Sequence, residues 1–487
     1  MLTSALVLLL ATPLLGAVLV GFLPPRAGRA LAVAASLITA LLASWGVLAA
    51  YPRAYRANLG SLPWLPGGSG QGVFGFLLDP LASILLLVVT LIGFLTVLFS
   101  TQYLTEKNRD HPVGPQDQGR YYFWLLAFLA SMVGVATAPN FLQLFIFWEL
   151  TTVCSWALIS FYRSEESLKA GFKAILMTHA GGVFFLLALL VLFAFTGSFE
   201  FDALGRLDPS LRGWVFFFLM VAAWAKAAQV PFHTWLPDAM AAPTPVSAYL
   251  HAASMVKAGV FLMARTVVAG WDVPAPWGLV LGVMALVTMM VALSFYFVQD
   301  DLKRLLAYST IAHLGYVLLG VALGAMGSVV GFRGGVLHIL CHGFGQATLF
   351  LSVGAVAYVT GTRSISALGG VARSMPLTAT AFFVGLLAVT GIPPFASFWS
   401  KFMILAGAME IPAPLGPAIL ILVLGESLVA FGWMLFVGQR VFLGPRTPAA
   451  EVNSDLPPAM SIALVLLMLG CLLAPLAGIP LVRLLGG

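Results

Sequence analysis

The sequence predicts an all-α polytopic membrane protein with about fourteen transmembrane helices, and three observations support this fold class. Of its 487 residues, 61% are hydrophobic and only 9% are charged, whereas soluble globular domains carry roughly 25% charged residues. The mean hydropathy is +1.01. The apolar residues also form long stretches, each close to the length of about 20 residues that a spanning helix needs. Most of the protein surface is therefore expected to face lipid.

The hydrophobic stretches define the predicted spans. The first begins at Met1, but it lacks the charged start of a signal peptide and thirteen more stretches follow it, so we interpret it as a span. The longest connections, at about 51–75 and 102–120, are too short for a soluble domain, which predicts a single integral membrane domain over residues 1–487. The predicted bounds of the fourteen spans are 2–23, 28–50, 76–101, 121–138, 139–161, 170–196, 212–230, 244–269, 275–298, 303–325, 327–359, 376–409, 414–441 and 458–485.

Basic residues are distributed unevenly between the two sides of the membrane. Loops that follow odd-numbered spans hold 14 Lys and Arg residues, and loops on the other side hold 7. Because basic loops stay cytoplasmic, both termini are predicted to lie outside, in a prokaryotic inner (plasma) membrane. The net charge of +6 is explained by these loops and does not indicate a nucleic-acid partner.

The sequence gives no sign of a cofactor or a metal. The three cysteines lie within predicted spans, without CxxC or Cys/His spacing, so we interpret them as apolar packing residues (Cys154, Cys341 and Cys471). No glycine-rich nucleotide or flavin signature occurs between a strand and a helix. We therefore predict neither a metal nor a cofactor, and no catalytic redox site in this chain.

Two hydrophobic stretches are interrupted by proline in a similar way, at 226–238 and at 391–401. Proline removes a backbone N–H and leaves a carbonyl without its helical partner, so both helices should break, near Pro231 and near Pro393-Pro394. Broken helices placed correspondingly in two halves of a chain indicate inverted repeats around an ion site. The predicted repeats cover about 121–270 and about 275–441.

Charged residues stand in spans where they are costly. Glu149, Lys226 and Lys257 each lie deep in an apolar segment. Insertion of such a charge costs about 2.5–3.5 kcal/mol, and intramembrane charges usually mark ion or proton pathways. Lys226 also precedes the predicted break at Pro231, where the end of a half-helix favours a cation. The alternative is that Glu149 and Lys226 form a buried pair that only locks two helices together.

Histidines and small polar residues extend this set along two helix faces. The eighth span carries polar residues at i, i+4 and i+7, with a lysine one turn further: Ser247, His251, Ser254 and Lys257. The eleventh span carries His338, His342 and Gln346. We interpret these two stripes as relay stations for ions, whereas His179 and His313 are weaker candidates.

A further carboxylate, Glu426, lies within the thirteenth span. It could contact Lys401, form the exit of the pathway, or pair with a neighbouring subunit. Asp79, Asp300 and Asp301 lie near span ends, where solvated or capping roles are expected.

Several motifs resemble one known family over nearly the whole chain. They are Phe147-Trp-Glu-Leu150, His233-Thr-Trp-Leu-Pro-Asp-Ala-Met240, Ala242-Pro-Thr-Pro-Val-Ser-Ala-Tyr-Leu-His251, Leu305-Leu-Ala-Tyr-Ser-Thr310 and Gly391-Ile-Pro-Pro394 with Lys401. The family is that of the antiporter-like subunits of respiratory complex I (NADH:quinone oxidoreductase), Mrp-type cation/proton antiporters and membrane-bound hydrogenases.

The resemblance implies fourteen helices that include two inverted five-helix repeats, each with a broken helix. It also implies that a Glu149–Lys226 pair gates a polar axis, that Lys401 lies at the far exit, and that the central stations are His251, Lys257, His338 and His342. We keep six further residues as candidates for the path or its support: His233, Asp238, Ser247, Ser254, Gln346 and Glu426. The implied partners are lipid, H⁺ and possibly Na⁺, and other membrane subunits, including homologous antiporter-like ones.

The sequence departs from the family pattern at Gln346, where the family commonly has lysine. Glutamine forms hydrogen bonds but carries no proton charge at neutral pH. Either Lys257 with water and histidine suffices, or the axis is altered. The long lateral helix or additional domain that some relatives carry after the fourteenth span is not expected here.

The leading functional hypothesis is a proton- or sodium/proton-translocating subunit of a multisubunit membrane complex. A partner's redox reaction, in a quinone oxidoreductase or a hydrogenase, or an opposing ion gradient would drive it. The alternatives are a stand-alone cation/proton antiporter, a subunit of an inorganic-carbon uptake complex, and a scaffold whose charges only fix helix packing.

Overall fold

The computed structural model describes residues 1–60, 73–269, 273–451 and 456–486. The described chain is almost entirely helical, with α1–α17 over Leu2–Val20, Pro25–Ala50, Pro80–Tyr103, Pro115–Thr137, Phe141–Ile159, Glu165–Thr196, Pro209–Lys226, Trp235–Asp238, Thr244–Ala252, Met255–Val268, Ala275–Tyr296, Leu302–Ala325, Val329–Thr360, Pro376–Thr390, Ala396–Met409, Leu415–Gly438 and Pro458–Val482. One antiparallel hairpin pairs β1, Tyr55–Gly60, with β2, Phe74–Leu78. This hairpin lies in the connection predicted at 51–75, the middle of which is outside the described residues.

The predicted membrane-spanning architecture is confirmed. In the described residues, twelve helical segments are long and apolar enough to cross a membrane, with α9 and α10 together forming one of them. The two other predicted spans, 212–230 and 376–409, correspond to α7 and to α14 with α15, which are shorter helices next to interruptions. The twelve long segments and these two interrupted ones account for all fourteen predicted spans.

Both predicted helix breaks occur at proline. Helix α7 ends at Lys226, and the chain then passes through Ala228, in the left-handed region at φ 48°, before the cis Val230–Pro231 bond. Helix α14 ends at Thr390 and α15 begins at Ala396, with a cis Pro393–Pro394 bond between them. The missing proline N–H prevents either helix from continuing with a regular hydrogen-bond pattern.

A third interruption corrects the predicted stripe on the eighth span. Helix α9 ends at Ala252, α10 begins at Met255, and Ser254 between them has φ −119° and ψ −107°. The carbonyl of Tyr249 accepts hydrogen bonds from the N–H groups of Ala253 and Ser254 and from the Ser254 hydroxyl, at 3.1, 3.0 and 2.8 Å. The serine hydroxyl thus competes with the helical pattern. The expectation that one continuous helix face carries Ser247, His251 and Ser254, with Lys257 one turn further, is therefore wrong.

A repeated two-helix motif is visible within the chain, formed by α5 with α6 and by α12 with α13. Helices α6 and α13 are each 32 residues long, and each ends at a glycine in the left-handed region, Gly197 at φ 67° and Gly361 at φ 74°. Each is followed by a bridge back to the residue before the preceding helix, at Asn140–Glu200 and Asp301–Ser364. Since α5 is the fifth span and α12 the tenth, the two motifs cross the membrane in opposite directions. The outer bounds of the two repeats, at 121–270 and 275–441, stay a prediction.

Helix α13 occupies the centre of the bundle and packs against α3, α9, α12, α14, α15 and α17. Glycines allow its backbone to approach two neighbours closely. A Cβ on Gly320 of α12 would lie 2.5 Å from the Cα of Gly335, and a Cβ on Gly407 of α15 would lie 2.3 Å from the Cα of Gly331. Small residues that permit close helix contact are typical of membrane interiors.

A buried ion pair joins α3 to α10 near the β-hairpin. Asp79 caps α3 by accepting a hydrogen bond from the N–H of Ala82 at 2.8 Å, which agrees with its expected capping role. Its carboxylate also forms a bidentate pair with Arg265, whose side chain is 2% exposed, against 12% for Asp79. The guanidinium packs against the rings of Phe201 and Phe261.

Asp79→Asn is expected to destabilise the protein by roughly 3–5 kcal/mol, because it leaves the charge of Arg265 buried without a counter-ion. The thermal unfolding midpoint of detergent-solubilised protein should fall. Asp202→Asn is the matched control, since Asp202 is 76% exposed and pairs with Arg206 at 3.4 Å, and surface pairs contribute little. Equal midpoints for the two variants would contradict the role of Asp79 as the stabilising counter-ion of Arg265.

Candidate ion pathway

Lys226 is fully buried at the end of α7. Its ammonium donates hydrogen bonds to the backbone oxygen of Trp148 at 2.8 Å and to the hydroxyl of Thr152 at 2.5 Å. It also lies 4.7 Å from the centre of the Trp148 ring, within cation–π range. Both partners belong to α5, the helix that carries Glu149.

Glu149 contacts a different group from the one predicted. Its carboxylate is 2.8 Å from Nδ1 of His179 on α6, and no Glu149 oxygen lies within 4.0 Å of the Lys226 ammonium in the described part of the chain. The two residues therefore form no direct contact in the described residues, and the ammonium binds the Trp148 carbonyl and Thr152 instead. The gating role of the pair stays a prediction. Gly182 makes room for the carboxylate, since a Cβ there would lie 2.1 Å from Glu149 Oε1.

The Glu149–His179 pair is partly accessible from the side of the bundle. The His179 side chain is 62% exposed and that of Glu149 is 24% exposed. Large apolar residues surround the histidine along the exposed face of α6, including Phe172, Leu176 and Val183. The pair is thus a polar spot on an otherwise apolar outer face.

The centre of the site is built around Lys257 on α10 and the histidines of α12 and α13. The Lys257 ammonium is 2.7 Å from Nδ1 of His342. The His342 ring stacks on that of His313, with 4.9 Å between ring centres. Nδ1 of His313 is in turn 3.0 Å from Nε2 of His338. All four side chains are buried, at 3% exposure or less.

The series continues to α15, the helix that follows the second proline break. Nδ1 of His338 is 2.8 Å from the hydroxyl of Ser400, the residue before Lys401. The Lys401 ammonium donates hydrogen bonds to the backbone oxygen of Thr390 at 3.2 Å, at the end of α14, and to the hydroxyl of Ser427 at 3.1 Å. Lys226 and Lys401 thus both lie beside the carboxyl end of a broken helix, where cations are favoured.

Glu426 lies in this cluster, but its observed contact is with a tyrosine. Its carboxylate accepts a short hydrogen bond from the Tyr316 hydroxyl, and the Tyr316 ring lies 4.4 Å from the Lys401 ammonium. Of the three predicted options for Glu426, direct contact with Lys401 is not formed. Glu426 is 2% exposed.

The other predicted residues are not joined to this series by the observed hydrogen bonds. Neither ring nitrogen of His251 has a partner among the described residues, and its ring lies near those of Trp235 and Phe350. Gln346 donates to the Leu306 carbonyl and to Thr310, at 2.7 and 3.0 Å. The remaining residues bind locally: Ser247 to the Pro243 carbonyl, Ser254 to the Tyr249 carbonyl, Asp238 to Lys173 and Arg304, and His233 beside the ring of Phe295.

Sequence reasoning did not single out Tyr316, Ser400 or Thr152. The structure also brings the two weaker candidates, His313 and His179, into contact with predicted site residues. Tyr316 follows His313 by three residues on α12, so helical spacing was a usable signal for both. Lys303, in the first turn of α12, is also fully buried, and its ammonium donates to the carbonyls of Met240 and Ala242, at 2.7 Å each.

Comparison with known proteins agrees with this architecture. Residues 138–429 match the family described as "NADH:quinone oxidoreductase/Mrp antiporter, TM", and residues 64–111 match "NADH-Ubiquinone oxidoreductase (complex I), chain 5 N-terminus". The chain is 35% identical over 429 residues to NAD(P)H-quinone oxidoreductase chain 5 of Picosynechococcus sp., covering 82% of this chain and 62% of that protein. It is 36% identical over 351 residues to the chloroplast subunit 5 of Nuphar advena, covering 67% and 45%.

Two solved structures share the fold along almost the entire chain. A chain of the Mrp complex from Dietzia sp. has a TM-score of 0.86 and 31% identity, covering 99% of this chain and 52% of that one. A chain of the archaeal membrane-bound sulfane sulfur reductase has a TM-score of 0.83 and 27% identity, covering 98% and 96%. This chain spans 45–62% of the length of the curated relatives described above. The predicted resemblance is confirmed: the chain belongs to the NADH:quinone oxidoreductase/Mrp antiporter family of transmembrane subunits.

Proposed function

We propose that this chain translocates protons across a membrane as an antiporter-like subunit of a larger complex. One observation carries the proposal: a buried series of hydrogen-bonded and stacked groups runs from Lys257 through three histidines to Ser400, next to Lys401. Neutral imidazole donates through one nitrogen and accepts through the other, so a ring bonded at both nitrogens, as His338 is, can pass a proton onward. A protein that served only as a scaffold would not require so many side chains with exchangeable protons in its core.

The chemistry of the centre favours protons over sodium ions. Hard cations prefer oxygen ligands, whereas the groups between Lys257 and Ser400 present nitrogen atoms. Lysines suit the ends of such a series, because a buried amine gains or loses a proton when its charged neighbours move. Lys226 and Lys401 occupy equivalent places beside the two broken helices, which is where transporters commonly bind their ions.

The partly exposed Glu149–His179 pair places one end of the proposed pathway at the side of the bundle. We propose that other membrane subunits, homologous ones included, cover this face, because a polar pair in contact with lipid is costly. The relatives support this: they are named as quinone oxidoreductase subunits, and the similar solved chains come from multisubunit complexes. The energy would come from a partner's reaction. We place the complex in a prokaryotic plasma membrane with both termini of this chain outside, as the basic loops predict.

Lys226→Ala and Glu149→Ala test this function. Each is expected to reduce proton flux about 100-fold, because a positioned proton-transfer group typically contributes at least that factor. Flux is measured in inverted vesicles containing the purified native complex, with assembly verified by subunit composition. Lys169→Ala is the matched control, since Lys169 forms only an exposed pair with Glu165. Normal flux in both assembled variants would leave the buried charges as architecture and refute the proposal.

A further inference from the structure

Tyr316 lies between the two charged groups at the far end of the series. It is fully buried on α12, one turn after His313, and its ring stacks on the His313 ring with 5.4 Å between centres. Its hydroxyl donates a short hydrogen bond to Glu426 and lies 3.4 Å from the backbone oxygen of Val423. Its ring face contacts the Lys401 ammonium at 4.4 Å.

Lys401 and Glu426 do not contact each other directly. Among the described ion pairs none joins them within 4.0 Å, although both belong to one buried cluster. The ammonium is bound by Thr390, Ser427 and the tyrosine ring instead. Opposite charges in so apolar a setting attract strongly, so their separation requires something that keeps them apart.

We propose that Tyr316 is a positioning residue that prevents a direct Lys401–Glu426 ion pair and thereby allows Lys401 to release its proton. The proposal rests on the proton-translocating function proposed above. A lysine in contact with a carboxylate holds its proton tightly, because the charged form is the one that gains the attraction. The ring face attracts the ammonium more weakly than a contacting carboxylate does. The Tyr316 hydroxyl meanwhile holds the Glu426 carboxylate away from the Lys401 ammonium.

Other titratable groups surround this cluster and remain the same in every variant considered. Those facing Lys401 and Glu426 are His313 on α12, His338 and His342 on α13, and Tyr296 on α11. Thr390 and Ser427, the remaining ligands of the ammonium, do not titrate. Among the titratable groups, a change confined to the Tyr316 hydroxyl acts first on Glu426, the one that it hydrogen-bonds in the described residues.

Tyr316→Phe removes this hydroxyl and keeps the ring. We expect flux at neutral pH to fall about tenfold and the acidic limb of the flux–pH profile to move upward by about one pH unit, since tenfold in proton affinity equals one unit. Glu426→Gln removes the attracting charge and should move the limb downward. The double variant should match Glu426→Gln, because the hydroxyl acts only through the carboxylate.

The measurement uses inverted vesicles with the purified native complex. A Tyr316→Phe profile equal to wild type, or a Tyr316→Phe shift that persists in the Glu426→Gln background, overturns the proposal. If Tyr316→Phe fails to assemble, the Glu426→Gln profile decides. An acidic limb at lower pH supports the proposal, and an unchanged limb or one at higher pH overturns it. An infrared carboxylate band, assigned by its loss in Glu426→Gln, should shift in Tyr316→Phe. This band tests the contact between Tyr316 and Glu426 even if the wild-type complex moves no protons. A complex that moves no protons would refute the proposed function itself.

Discussion

Lys257→Met is expected to reduce proton flux by about 100-fold or more, because a positioned proton-transfer group contributes at least that factor. Its ammonium is the only cationic group bonded to His342 in the described structure, at 2.7 Å. Methionine has a similar length and an apolar character, so the fully buried site should still pack. Flux per assembled complex in inverted vesicles is the measurement.

Lys303→Met provides the comparison for this prediction. Lys303 is equally buried, but its ammonium contacts the backbone oxygens of Met240 and Ala242 and no member of the histidine series. We expect this variant to lose stability while its assembled fraction retains flux. If Lys257→Met pumps normally, the central step is wrong, and the lysine only anchors α10 to α13.

Gly407→Ala is expected to disrupt both packing and flux. Its Cβ would lie 2.3 Å from the Cα and N atoms of Gly331, so α15 must move away from α13. Overpacking of this kind costs roughly 1–3 kcal/mol, and more where only backbone can yield. Because α15 carries Ser400 and Lys401, the same movement should lengthen the His338–Ser400 hydrogen bond of 2.8 Å.

The thermal midpoint of the solubilised protein and the flux per assembled complex test this together. Gly425→Ala is the matched control, since a Cβ at Gly425 of α16 meets no heavy atom within 4 Å. We expect that variant to keep both wild-type values. The same midpoint for the two variants would show that α13 and α15 have room to separate, and that their close contact does not position the site.

The fold could be predicted largely from composition and proline. Apolar stretches of spanning length gave the fourteen spans, and Pro231 and Pro393–Pro394 gave two breaks, because these signals are local. The third break could not be found in this way. It depends on the Ser254 hydroxyl binding the Tyr249 carbonyl at 2.8 Å, an alternative that serine offers at many helical positions without breaking the helix.

The sequence predicted which residues form the candidate site, but not which of them contact each other. Rarity of charge within apolar spans identified Lys226 and Lys257, and the family resemblance added Lys401; the structure buries all three. Which groups they contact depends on residues far away in the chain. Tyr316 reaches Glu426 across 110 positions of sequence, and neither residue type alone indicates the contact. Their roles in ion movement stay predictions until flux is measured.

His338 engages both of its ring nitrogens, one with His313 and one with Ser400. Each neutral imidazole carries a single hydrogen, so the passage of one proton moves that hydrogen to the opposite nitrogen. After this transfer the hydrogen bonds point the opposite way. The row accepts no second proton from the same side until the ring rotates or a hydrogen moves back. In the proposed function, proton transfer along this row therefore alternates between a hop and a reset. If the row carries protons as proposed, each charge that passes along it requires one reset.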